Sequence, residues 1–300
     1  MSFSGELRES WKKPPKREIF KPLSREQRSQ FLDDYLEHLG QRDGVIDPVQ
    51  RRFSIREQFF RDVEENPVRR TGALVVDPLV FARNEDKSYP ETGLDEATLW
   101  ALAVAKTNRA ERDGVEYALA RTDIKTLPRD DPYSYILIEE FYHTRILSDA
   151  LSVLGLEMRD LPPPKTTQLL THSMYHLPKA FSHMTILCSE IVGVAGFRLL
   201  ADKAQELFSD QPQPLQRITE LFQQILVDEV GHVHYARSQL GPVRLAVAEK
   251  MLSTVTQRFF EDIPEFELLF GREKLLKTVN TADVAGAVAQ YNDRFVPKYE

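Results

Sequence analysis

The chain has 300 residues, 42% of them hydrophobic and 28% charged, with a net charge of −7. That length buries a sizeable core, and the balance of apolar and charged residues is that of an ordinary globular protein. The acidic charge argues against a broad nucleic-acid-binding surface, and the single cysteine, Cys188, rules out an intrachain disulfide.

One thiol suits a reducing cytoplasm. Neither a signal-like leader nor a run of about eighteen apolar residues is visible, so a cytoplasmic protein without a membrane span is expected. Residues 1–22 are polar, with Lys12, Lys13, Pro14, Pro15, Lys16 and Arg17 clustered. They read as a mobile arm ahead of a single domain over 23–300. Ser24 caps a helix to about Leu39 that keeps Phe31, Tyr35 and Leu36 on one side. Asp47-Pro48 starts a second helix that ends before Pro67. Residues 67–93 carry Pro67, Gly72, Pro78, Pro90 and Gly93 and read as irregular. Within them, Ala73 to Val76 fits a short strand or a buried loop.

Four long helices follow, over about 95–120, 132–154, 178–208 and 214–240. Their links predict antiparallel neighbours. After Gly241-Pro242 comes a further helix to about Phe260, then shorter ones after Gly271 and Thr281. Alternating polarity is nearly absent, so the class is all-α.

Two short patterns interrupt the apolar stripes: Glu140-Phe141-Tyr142-His143 and Glu229-Val230-Gly231-His232. Each places a carboxylate and an imidazole three residues apart, on one face of a helix, within reach of one metal ion. A lone pair of this kind is usually a surface contact. Two pairs, joined by one Glu from each of two other helices, make a dinuclear carboxylate site.

Helix levels select those partners. The turn between the first two long helices centres near Thr126, and Glu111 and Glu140 lie almost equally far from it. The next turn centres near Gln211, and Glu190 and Glu229 differ in distance from it by roughly one helical turn, about 5 Å. Glu206 sits too close to that turn, and Glu116 shares a face with Arg109, Arg112 and Asp113. The expected ligands are Glu111, Glu140, His143, Glu190, Glu229 and His232. Carboxylates and imidazoles in such number need cations among them if they are buried.

An acidic residue precedes each motif glutamate: Glu139 and Asp228. A ligating imidazole usually donates its other N–H to a carboxylate, so Asp228 would orient His143 and Glu139 would orient His232. His183, one heptad before Glu190, is a further candidate for this outer layer. His172 and His176 stand near Pro178 and read as a helix end or loop. Cys188 reads as a small core residue.

With these residues in place, residues 95–240, about half the chain, resemble the ferritin-like di-iron carboxylate superfamily. The resemblance is to ribonucleotide reductase small subunits, multicomponent monooxygenases, acyl carrier protein desaturases and p-aminobenzoate N-oxygenase-type enzymes. It implies a ferritin-like four-helix bundle with added N- and C-terminal helices. It also implies two iron ions, or a manganese–iron pair, with dioxygen as co-substrate. The implied activity is that of a di-iron oxygenase that hydroxylates, N-oxygenates or desaturates a small-molecule or carrier-bound substrate. The alternative is an iron-binding or iron-detoxifying protein. No flavin, nicotinamide or iron–sulfur motif is visible, so an external ferredoxin or reductase is the expected donor. A homodimer is compatible with the resemblance, and no nucleic-acid or membrane partner is expected. Two departures narrow it: Leu147 stands where the reductase subunit carries its radical Tyr, and Ile225 where the N-oxygenase type carries an additional His.

Overall fold

The computed structural model describes residues 17–47, 49–71, 76–122, 128–163, 178–281 and 283–289, and residues 165, 168, 169, 172 and 176. Helices dominate it. They are α1 (Arg25–Asp43), α2 (Arg56–Glu65), α3 (Pro78–Asn84), α4 (Glu96–Arg121), α5 (Pro132–Val153), α6 (Lys179–Leu207) and α7 (Pro212–Ser238). After them come α8 (Pro242–Asp262), α9 (Glu265–Phe270) and α10 (Arg272–Thr281). The class is all-α. Among the described residues, the strands are β1 (Ile46–Asp47) and β2 (Arg52–Phe53), a short antiparallel hairpin.

Local chemistry sets the ends. Ser24 and Gln27 form a reciprocal capping box at the start of α1. The Asp131 side chain accepts from the Tyr133 amide, and Pro132 opens α5 where a missing N–H costs nothing. Proline opens α7 and α8 in the same way.

The four long helices α4, α5, α7 and α6 pack in that order as a closed ring. Neighbours run antiparallel, as paired contacts show. Between α4 and α6, Lys203 reaches Glu96, and Trp100 Nε1 donates to the Leu200 carbonyl. Between α6 and α7, Gln205 donates to Thr219, and Gly193 faces Glu229. Between α5 and α7, Glu139 meets His232 and His143 meets Asp228. Both α5 and α6 oppose α4, so they run parallel, and the end of α5 and the start of α6 lie at opposite ends of the ring. Trp100 is fully buried and packs edge-on against Phe208 at 5.7 Å between ring centroids. The stretch Phe181–Leu207 is apolar enough to cross a membrane, but 67% of its apolar window is buried here.

The remaining helices clothe this ring. α1 lies on α5 and α7, α8 and α10 on α6, and α9 on α4.

Several sequence expectations need correction. Residues 17–22 are not a mobile arm: Ile19 and Phe20 are buried in a 3₁₀ turn, and the Lys21 carbonyl accepts from Arg237. Residues 1–16 lie outside the described residues. The second helix starts at Arg56, not at Asp47. Gly44, at a φ of 81° that favours glycine, ends α1, and the chain then turns through the hairpin. The hairpin forms because Phe53 is fully buried, stacked on Tyr135 and Tyr142, with its amide donating to the Tyr142 hydroxyl at 3.0 Å. Helix α3 lies within the stretch expected to be irregular. Its signal was Asp77-Pro78, a side-chain cap followed by proline at the first helical position. Residues 72–75 lie outside the described residues. α9 was not anticipated, and after Thr281 the described chain forms only a 3₁₀ turn, Ala285–Ala287.

Gly231, inside the second motif, lets Tyr35 of α1 pack directly on the α7 backbone. A β-carbon there would stand 2.6 Å from the Tyr35 hydroxyl and 2.7 Å from its ring. Gly231→Ala should therefore overpack this contact and destabilise the protein by about 1–3 kcal/mol. A lowered urea midpoint at unchanged slope checks it; an unchanged midpoint would mean that Tyr35 yields freely.

Candidate metal centre

Each of the four ring helices contributes to one cluster. Glu111 comes from α4, Glu140 and His143 from α5, Glu190 from α6, and Glu229 and His232 from α7. Their donor atoms form two overlapping groups that could each hold a metal ion. One is Glu111, Glu140, His143 and Glu229, and the other is Glu140, Glu190, Glu229 and His232. Within each group the donor atoms lie within 4.8 Å of one another. Glu140 and Glu229 belong to both, so they would bridge the two positions. All six residues expected from spacing and helix level are brought together.

The imidazoles test whether a cation fits. His143 Nε2 lies 3.1 Å from Asp228 Oδ2, and His232 Nε2 lies 2.9 Å from Glu139 Oε2. These contacts assign the N–H to Nε2 in each ring and turn the Nδ1 lone pair inward. Nδ1 of His143 stands 3.3 Å from Glu229 and 3.5 Å from Glu140, and Nδ1 of His232 stands 3.0 Å from Glu140 and 3.6 Å from Glu190. Yet both Nδ1 atoms are buried without a hydrogen-bond partner. On a neutral ring the Nδ1 lone pair would face carboxylate lone pairs, which is repulsive unless a proton or a metal cation sits between them. Two imidazole nitrogens and four carboxylates are a donor set for a pair of divalent transition metals.

The electrostatics carry the same strain. Burial, reinforced by Glu140 and Glu229, raises the Glu111 carboxyl well above its ordinary range. Burial and the neighbouring Glu190 push Glu229 up to about 8. Burial opposes charge on both imidazoles, but the carboxylates around them outweigh it and hold both well above the usual histidine range. Burial likewise opposes charge on Glu140, but its contacts with the two imidazoles lower it. The polypeptide alone thus holds protons where a metal pair would supply the positive charge.

Asp228 and Glu139 occupy the outer positions expected of them. Sequence reasoning missed what lies behind them. Arg56 from α2 donates to both Asp228 oxygens at 2.7 and 2.8 Å, and its Nε pairs with Asp43 at 2.8 Å. Arg42 from α1 also pairs with Asp228 and donates to the Gln224 carbonyl at 2.9 Å. Burial opposes charge on Asp228, yet the two guanidiniums hold it well below the usual carboxylate range. No spacing rule connects Arg42 or Arg56 to the motifs. Gly193 is the other omission, and here a signal existed: it lies three residues after Glu190 on the same face. A β-carbon at Gly193 would stand 2.9 Å from Glu229 Oε2, so only glycine leaves room for that carboxylate.

His183 belongs to neither group; it lies in the wall of a cavity that opens from the cluster. Leu147 and Ile225 are fully buried apolar residues and bring no further polar group. The His172 ring stacks on Tyr117 at 3.9 Å, and His176 Nε2 lies 2.8 Å from the Tyr117 hydroxyl. Cys188 is buried, with its thiol donating to the Ala248 carbonyl, and burial pushes it up to about 12.

The cavity measures about 910 Å³. Glu111, Glu140, Glu190, Glu229 and His232 all line it, whereas His143 does not. Its walls near the cluster include Val115, Ile136, Leu137, Met251, Val255 and Phe259. At another part of the wall, Lys106 pairs with Glu265 and Arg109 with Glu85.

No family model matches the chain, and no curated protein or solved structure matches it significantly.

Two substitutions separate the roles just described. Asp228→Asn should leave the helices in place but weaken metal binding about 10–100-fold, because His143 loses its carboxylate acceptor. Unaltered affinity in a metal titration would show that the contact does not orient the ring. Gly193→Ala should act differently. Alanine favours a helix interior by roughly 0.5–1 kcal/mol, so the fold should hold while Glu229 is displaced and metal content falls. Full metal content by elemental analysis would contradict this.

Proposed function

We propose that the chain is a ferritin-like four-helix protein with a non-haem di-iron centre, and that it is an oxygenase acting on a small organic substrate. The observation that carries this reading is the cluster itself: two donor groups, sharing Glu140 and Glu229, with inward-facing histidine lone pairs and an apolar cavity beside them. The ring of four helices, in which α5 and α6 run parallel, supports the ferritin-like architecture.

Glu111 and His143 would hold one metal, Glu190 and His232 the other, and Glu140 and Glu229 would span both. Such a pair, when bound, would supply the binding and reduction of dioxygen. The rest is the work of the polypeptide. Asp228 and Glu139 hold the imidazoles in one tautomer, with Nδ1 toward the centre. The apolar residues around the cavity, with a substrate bound among them, would limit water at the reacting face. A volume of about 910 Å³ suits a drug-sized or acyl-chain substrate lying against the carboxylates. Leu147 places no oxidisable side chain one turn beyond His143, which favours direct oxidation of a bound substrate. Two electrons would come from an external ferredoxin or reductase.

The competing reading is an iron-binding or iron-detoxifying protein. A large, mostly apolar cavity has no purpose in ion passage, and it favours the oxygenase. The chain reconstituted with ferrous iron should hold close to two irons, and Glu140→Ala or His232→Ala should lower that sharply, since each removes a ligand. Elemental analysis that finds no iron would overturn the metal reading. Oxidation to a growing ferric mineral, with oxygen consumption that no pool of small metabolites or acyl carriers alters, would place the protein with iron storage instead.

A further inference from the structure

The outer layer of the centre is lopsided. Asp228 is met by both guanidiniums: Arg56 binds it through two hydrogen bonds of 2.7 and 2.8 Å, and Arg42 forms a direct ion pair with it. Glu139 is not. Its Oε1 lies 3.7 Å from Arg42 and 3.8 Å from Arg56 and has no hydrogen-bond partner. Both carboxylates are fully buried, so water cannot even out the difference. Each carboxylate accepts from one imidazole, and the contact from His232 to Glu139, at 2.9 Å, is shorter than that from His143 to Asp228, at 3.1 Å.

A carboxylate already engaged by two cations is a weaker acceptor and lends less basicity to the imidazole bound to it. As fixed positive charge the guanidiniums also lie nearer to Asp228 than to Glu139, so they disfavour a cation at the His143 Nδ1 more than at that of His232. Both effects act in one direction. We propose that Arg42 and Arg56 are positioning residues that make the two metal positions unequal, so that the position bearing His232 and Glu190 binds first and more tightly. The position bearing His143 and Glu111 fills second. The inference rests on the metal reading above, and it assigns a task to α1 and α2, which contribute no ligand. The two arginines clamp the weaker position in place while keeping its affinity low.

Cobalt(II) alone is a suitable probe, since its visible absorption reports each binding step. The full chain, stripped with a chelator, should show two steps whose affinities differ by about ten-fold or more. His232→Ala should abolish the tighter step, and His143→Ala should leave it intact. Arg42→Gln frees Asp228 from one cation, so the second step should tighten and the gap narrow, whereas Arg42→Lys should restore the gap. A merely structural role for Arg42 would loosen both steps instead. If Arg42→Gln fails to fold, the two histidine variants still decide the order. Two equal steps, or a tighter step lost in His143→Ala, would overturn the inference. No cobalt step at all would overturn the metal reading beneath it.

Discussion

The rest of the structure depends on one constraint: charged side chains at the centre of a helical protein must neutralise one another. Four carboxylates and two imidazoles converge between α4, α5, α6 and α7, and each lies against a neighbour of like charge or a facing lone pair. Such a cluster would drive an ordinary core apart. Here it is contained by shells. Imidazole N–H groups point outward to Asp228 and Glu139, and those carboxylates meet Arg42 and Arg56. Asp43 then partners Arg56. Charge alternates outward until it reaches the N-terminal helices.

This alternation explains why the N-terminal elements are part of the centre and not an appendage. The hairpin that follows α1 is short, yet Phe53 fixes it by stacking on Tyr142, the residue next to His143. Tyr142 also donates to Glu57 of α2 at 2.6 Å. α2 is therefore held at the back of α5 by aromatic packing and by hydrogen bonds from Tyr142 to Glu57 and from Arg145 to Glu64, and this places Arg56 beside Asp228. Removing a guanidinium from such a network exposes a buried carboxylate, which is why these contacts matter more than surface ion pairs of similar length.

The two sides of the cluster differ in kind. The side bearing Glu139, Asp228 and the two arginines is charged, dry and packed against α1 and α2. The carboxylate side opens on the cavity, whose wall is completed by α8 and the loops around residues 85–88 and 161–163. Helix α6 serves both sides. Gly193 makes room for Glu229, while Glu190 and Ile186 face the cavity. A centre that is rigid behind and open in front suits the proposed chemistry, because ligand geometry is kept while substrate and dioxygen approach from one direction.

Much of this was legible in the chain. Glu140-x-x-His143 and Glu229-x-x-His232 declare themselves by spacing, because the 3.6-residue helical repeat puts i and i+3 on one face. Glu111 and Glu190 follow from level, because rise per residue converts sequence distance from a turn into height. Asp228 and Glu139 follow from the need of a ligating imidazole for an acceptor. All of these are local or one-helix rules. Arg42, Arg56 and Asp43 were not legible, because they reach the centre through packing of α1 and α2, with sequence separations of 172 and 186 residues between the arginines and Asp228. The hairpin was missed because its formation depends on a slot between Tyr135 and Tyr142 that exists only once α5 is in place. The sequence by itself determined the long helices, the six side chains that cluster between them and the carboxylates behind the two imidazoles, since these depend on periodicity. Tertiary structure decided which cations neutralise them, how unequally, and where the cavity opens, since these depend on which faces meet.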